Sequence, residues 1–145
     1  MEKFKFFWDT MQLCDWRFEG DDHRVLEPVI KFLSQQSDDK IFLFSDQMSE
    51  LLYGLDTYEL AEQCKEVDGF MSDDSFLYSR CVALINGPEY YMRAKSGKCK
   101  DMWNMEFESL IYVASQAWEM KHNTEFEHIS PLSFETGSNS EGWKR

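Results

Sequence analysis

A mainly α-helical fold follows from three features of this chain. Apolar residues recur at three- and four-residue intervals through most of its length, as they do along one face of a helix. Acids with capping power, in Asp21-Asp22, Ser37-Asp38-Asp39 and Ser72-Asp73-Asp74, stand where successive apolar-periodic runs begin. No segment carries a convincing alternation of apolar and polar residues, and Phe42-Leu43-Phe44, strand-like in isolation, has helical flanks. With 145 residues, 43% of them hydrophobic and 16% aromatic, the chain has the size and composition of one packed domain. The expectation is a single compact helical domain of about six or seven helices over residues 1–123, followed by an irregular C-terminal tail, extended or partly ordered, over 124–145.

The elements follow in order. Phe4, Phe7, Trp8, Met11 and Cys14 form an apolar stripe that predicts a helix over 4–18. Gly20-Asp21-Asp22 breaks it, and Asp22 caps a second helix reaching about residue 36, with Val25, Val29, Phe32 and Leu33 apolar. Pro28 falls inside that helix unless the helix starts just before the ring. Ser37 and its two acids open a third helix carrying Ile41, Phe44, Met48, Leu51, Leu52 and Leu55. Gly54 is its weak spot, Asp56 or Thr57 restarts a turn, and a helix continues through Glu66.

After a loop at 67–70 comes the segment with the clearest ends. Ser72 is a good N-cap, Asp73 and Asp74 oppose the helix dipole, and Asn86-Gly87-Pro88 stops the helix. Leu77, Cys81, Leu84 and Ile85 line its apolar face with Arg80 beside them. A short helix begins at Pro88 with Tyr90, Tyr91 and Ala94, and Lys95–Lys100 is a polar, basic loop. A last long helix is expected over about 102–122, with Phe107, Leu110, Ile111, Ala114, Ala117 and Trp118 as its stripe and Asn123 at its end. Beyond Thr124 the period is lost among Pro131, Gly137 and Gly142.

The run from Ser72 to Gly87 resembles the central signature of a bacterial family known only as a domain of unknown function. There an Asp-Asp-x-Phe-x-Tyr-x-Arg helix, here Asp73 to Arg80, leads into an apolar turn, a glycine and a tyrosine near Tyr90 or Tyr91. Phe7-Trp8 resembles the family's opening pair, and Glu108-Ser109-Leu110-Ile111-Tyr112-Val113-Ala114 resembles its C-terminal helix. Gly142-Trp143 resembles a terminal glycine–tryptophan element. The departures are Ser79 and Val82, where the family pattern leads one to expect aromatics. The resemblance implies a small, mainly helical bacterial protein and implies no activity.

The formal net charge is -12, and along the chain it is uneven: residues 1–80 hold 18 acidic and 8 basic side chains, residues 81–145 hold 9 and 7. So acidic a body repels phosphate backbones and anionic membrane surfaces, which argues against nucleic acid and membrane as ligands. It attracts basic protein surfaces. Cys14, Cys64, Cys81 and Cys99 include no C-x-x-C pair, and His23, His122 and His128 have no ligand spacing, so no metal and no cofactor are implied. No nucleophile elbow, phosphate loop or dinucleotide fingerprint is present. With no signal-peptide or membrane-span pattern, a reducing cytoplasm is the expected compartment.

Two constellations stand out. Asp56, Glu59, Glu62 and Glu66, spaced three, three and four, form a carboxylate stripe suited to docking Lys or Arg of a basic protein partner. Asp73, Asp74, Arg80 and Glu108 could frame a polar pocket, with Arg80 drawing a carboxylate, Glu108 the candidate, from another helix. Arg93, Lys95, Lys98 and Lys100 read as a solvated loop, and Trp103 and Trp143 as surface aromatics able to seal a contact. The leading expectation is a non-enzymatic acidic protein-binding domain, in its sharpest form an immunity protein that occludes a basic bacterial toxin. The alternative is a small-ligand binder or enzyme with a polar cleft around Arg80.

Overall fold

A computed structural model describes residues 2–145, and these form seven α-helices joined by short 3-10 turns, with no strand among the described residues. The chain folds as two units, Met1–Gln47 with Ser109–Pro131, and Met48–Glu108 with Leu132–Arg145.

In the first unit, α1 (Lys5–Met11) buries Phe7, Trp8 and Met11. It stops well short of residue 18. The Asp15 amide donates to the Val25 carbonyl at 2.9 Å, and the Asp15 carboxylate caps a separate 3-10 turn, Trp16–Phe18, through the Arg17 amide. Asp15 therefore starts its own turn instead of prolonging α1. In α2 (Asp22–Ser34) the cap is Asp21, whose carboxylate accepts from the Arg24 amide, and Pro28 lies inside the helix. The helix tolerates the missing N–H because Val25, Leu26, Val29, Ile30 and Leu33 are buried on one face. α3 (Asp38–Gly54) begins where expected, with Ser37 Oγ accepting from the Lys40 amide. Gln47 on α3 holds the start of the chain: its carbonyl accepts from the Phe7 amide at 2.9 Å and its amide donates to the Lys3 carbonyl at 2.7 Å.

In the second unit, Thr57 caps α4 (Tyr58–Asp68), which ends on Gly69 at φ +80°. Ser72 and Ser75 cap each other's amides at the start of α5 (Asp73–Ile85), and Pro88 opens α6 (Pro88–Lys95) as its first residue. Gly54 serves a close approach rather than marking a weak spot. Its absent Cβ would sit 2.6 Å from the Tyr91 hydroxyl, which donates to the Leu51 carbonyl at 2.6 Å.

The long helix expected over 102–122 does not form. A 3-10 turn spans Lys100–Asn104, residues 105–107 are neither helix nor strand, with Met105 extended, a second 3-10 turn covers Glu108–Tyr112, and α7 begins only at Val113, running to His122. The cause lies on α5. Ser79 Oγ donates to the Met105 carbonyl at 2.6 Å, and the Phe107 amide donates to the Tyr78 carbonyl at 3.0 Å, so these backbone groups are committed outside their own segment. Ser79, where the family pattern led one to expect an aromatic, is the small hydroxyl that makes this crossing possible. Trp103 is likewise corrected from surface aromatic to core: it is buried, stacks on Phe76 at 5.4 Å, and its indole N–H donates to Gln63 Oε1 at 2.7 Å.

Residues 124–145 contain no helix. Asn123, left-handed at φ 55°, ends α7 and turns the chain.

Candidate functional site

Two opposite charges lie wholly buried in the second unit, Asp56 between α3 and α4 and Arg80 on α5. Arg80 and Phe76 are four residues apart and share one helix face, so the guanidinium lies over the Phe76 ring at 4.7 Å. This gives the four-residue spacing of Phe76 and Arg80 in this chain a physical reason. Arg80 Nη1 donates to the Leu52 carbonyl at 2.9 Å, and Nη2 donates to the Phe134 carbonyl at 3.0 Å and to Thr136 Oγ1 at 3.1 Å. Its Nε has no hydrogen-bond partner among the described residues. Burial pulls its pKa below the usual guanidinium range, against the pull of Asp56, the Cys81 thiol and Glu135.

Asp56 is saturated by donors from the C-terminal segment. The Gly137 amide reaches both carboxylate oxygens, at 3.0 and 3.1 Å, and the Asn139 amide reaches Oδ2 at 3.0 Å. The Trp143 indole N–H donates to Oδ1 at 2.8 Å. Thr136 Oγ1 in turn donates to the Asp73 carbonyl at 2.7 Å, Asn139 Nδ2 to the Tyr53 carbonyl at 3.1 Å, and the Tyr58 amide to the Gly142 carbonyl at 2.9 Å. The Trp143 ring meets Phe76 edge-on at 6.3 Å. Residues 132–145 thus form a strap bound over α3, α4 and α5.

This arrangement revises both predicted constellations. Asp56 does not belong to the carboxylate stripe, because Thr57 is the helix cap and Asp56 precedes it, turned inward. Glu59 and Glu66 are exposed and Glu62 is half-exposed, paired with Lys65 at 3.4 Å. Nor do Asp73, Asp74, Arg80 and Glu108 share a pocket: Arg80 is sealed, and the three acids stand at the surface. The groups that Arg80 hydrogen-bonds are carbonyls and a threonine, in place of the Glu108 carboxylate expected. Trp143 is half-buried in the strap contact rather than a free surface aromatic.

The first unit holds residues 124–131 differently. Asp38, Phe42 and Asp46 are four apart along α3. His122 Nε2 lies 2.7 Å from Asp38, and His128 Nε2 lies 2.8 Å from Asp46. Phe42 stacks on Trp118 at 5.4 Å and on His128 at 4.4 Å. Ser130 Oγ also donates to Asp46, at 2.6 Å, so the serine and the histidine both bind the carboxylate and do not form a nucleophile relay. Lys121 Nζ, 2.7 Å from Asp38, and His122 hold that carboxyl below its ordinary range. An open depression of about 630 Å³ lies between α2 and α7, lined by His23, Glu27, Ile30, Lys31, Gln116, Glu119 and Met120.

All four cysteines are free, and desolvation disfavours the thiolate at three of them, pushing Cys14 and Cys64 up to about 11 and Cys81 up to about 12. No group of three or more His, Cys, Asp or Glu side chains among the described residues is arranged to hold a metal ion. No helix among them is long and apolar enough to cross a membrane.

Of the buried pair, sequence reasoning singled out Arg80 and placed Asp56 on the wrong surface. The strap residues Thr136, Gly137 and Asn139 carry no reading from sequence, and Trp143 has only those of a surface aromatic and of the Gly142-Trp143 resemblance. The signal available was that same pair: Gly142 is required because a Cβ there would sit 2.8 Å from the Asp56 carbonyl.

The family model described as "Protein of unknown function (DUF4240)" matches residues 1–120, and the chain belongs to that family. Neither a curated protein nor a solved structure matches it.

Proposed function

We propose that this chain is a non-enzymatic, acidic protein-binding domain whose partner is a basic protein surface. In its sharpest form the proposal is a cytoplasmic, bacterial immunity protein that occludes a cationic toxin domain. The observation that supports it most is the outward-facing acid of α4. Glu59 and Glu66 are exposed with Glu62 between them, while Leu60, Ala61 and Cys64 turn inward. Asp68, the last residue of α4, and Asp73 and Asp74 at the start of α5 are exposed as well. Such a surface steers a cationic partner over long range, and the steering fades as salt rises. A toxin whose own ligand is a phosphate chain presents the matching surface. The reading of Arg80 as the centre of a ligand or catalytic cleft has less support, because solvent does not reach the guanidinium.

The test uses the protein encoded directly upstream of this gene, coexpressed and purified with the chain. The expected result is an association rate that falls steeply with salt. Glu59→Lys with Glu66→Lys should slow it at least tenfold and flatten the salt dependence. An unchanged rate in that double variant would remove this surface from consideration, and turnover by the chain alone would remove the class.

A further inference from the structure

The acid on α4 has its electrostatic complement in the same unit. We propose that the outer face of α4 and the basic segment 93–100 form one self-complementary surface. A second copy of this chain docks there about a two-fold axis, with Glu59 and Glu66 of each copy against Lys98 and Lys100 of the other. This goes beyond the foreign partner discussed above and does not depend on it.

The two charged surfaces border each other across a fixed contact. Gln63 lies on α4 with Glu59 four residues before it and Glu66 three residues after, so the three are neighbours along one side of the helix. The Gln63 side-chain amide donates to the Gly97 carbonyl at 2.9 Å, while its Oε1 is held by the Trp103 indole at 2.7 Å. Gly97 in turn stands between Lys95 and Lys98. Opposite charges lying side by side on one chain are what a two-fold axis brings face to face, because each patch then meets its complement and every contact is made twice.

Within one chain these neighbours leave each other unpaired. Arg93, Lys95, Lys98 and Lys100 are exposed and form no ion pair among the described residues, and neither do Glu59 and Glu66. Glu62 is engaged by Lys65 at 3.4 Å. The helix dipole accounts for Arg93 and Lys95, in the last turn of α6, but not for Lys98 and Lys100 beyond it. On a chain with 27 acidic and 15 basic side chains, these four cations are a local reversal of sign.

Nor is the basic segment slack. The Lys98 amide donates to the Arg93 carbonyl at 3.0 Å, the Gly97 amide to the Ala94 carbonyl at 2.9 Å, and Cys99 is buried between the two lysines. Cations on a braced turn lose less freedom on docking than cations on a mobile one. Met92, 48% exposed and three residues before Lys95 on α6, adds apolar area to the same edge. One exposed ion pair contributes little, so the doubling by symmetry matters and the association is a weak one governed by charge.

Sedimentation velocity of the intact chain tests this at about 0.15 M ionic strength. There a Debye length of about 8 Å screens the distant acids of the two bodies from each other and spares pairs in contact. The expected result is a monomer–dimer equilibrium with no larger species. Glu59→Lys with Glu66→Lys, and separately Lys98→Glu with Lys100→Glu, should each raise the dimer dissociation constant at least tenfold with the helical circular-dichroism signal unchanged. Mixed one to one, the two variants should regain a dimer containing one of each. In wild type, a carbodiimide added to mixed isotope-labelled and unlabelled copies should join Glu59 or Glu66 of one to Lys98 or Lys100 of the other, a readout that needs no variant to fold. A wild type monomeric at every concentration, a dimer indifferent to either charge reversal, a mixture that fails to associate, or growth past the dimer would each overturn the proposal. No foreign partner is in any sample, so a monomeric wild type would leave the reading of a basic partner standing.

Discussion

The two halves of the helix-free C-terminal chain are held by opposite strategies. Residues 124–131 attach to the first unit through groups that water partly reaches: His128 and Ser130 on Asp46, and an aromatic stack led by Phe42 and Trp118. Ile129 in that stretch remains 87% exposed. Residues 132–145 attach to the second unit through two ions that water does not reach. The difference shows where energy is stored. A half-exposed ion pair is screened by solvent and contributes little. A buried charge with all its donors in place is neutral to modestly favourable, but removing one side leaves the other stranded at a large cost.

Asp56→Ala is the harshest test of that contrast. It strands three N–H donors and the Arg80 charge, and it should lower stability by about 3–5 kcal/mol in urea unfolding. A loss below about 1 kcal/mol would erase the distinction between the units. Gly142→Ala forces a Cβ against Asn139 and the Asp56 carbonyl and should cost about 1–3 kcal/mol, with faster amide exchange at Gly137 and Asn139. Asp46→Ala, on the other unit, removes the acceptor for His128 and Ser130 and should cost about 1 kcal/mol, with faster exchange confined to 124–131.

The smallest expected effect is that of Asp38→Asn, and it is read by pH. Lys121 and then His122 hold the Asp38 carboxyl below its ordinary value of 3.8. A folded-state pKa that is lowered contributes stability above the unfolded value and loses it as pH falls through the folded one. Wild type should therefore exceed the variant above about pH 4 and converge with it in stronger acid. High salt should shrink that difference while leaving the effect of Asp56→Ala in place.

Much of the helical framework was legible in the sequence, because its signals are local. Ser72 with its acids, Thr57, Ser37 and Pro88 mark helix starts by chemistry acting within one turn. The misreadings came where distant groups decide. Residues 105–107 have a helix-compatible pattern, but the carbonyl and amide they offer are taken by Ser79 and Tyr78. Asp56 has the spacing of a surface stripe, yet its partners stand more than eighty residues away along the chain. Nothing in the local pattern around 56–66 could have turned that carboxylate inward. Charge also redistributes on folding. The imbalance along the sequence vanishes between the units, which hold 13 acidic with 7 basic and 14 acidic with 8 basic side chains, a formal net of -6 each.

The separation between Asp56 and its donors also sets a clock during synthesis. Asp56 and Arg80 leave the ribosome well before Phe134 to Trp143, the residues that complete their coordination. Until then both ions are best left hydrated, and the helices around them cannot close to their final packing. Chains stalled before residue 134 should accordingly be the forms most readily caught by chaperones and proteases.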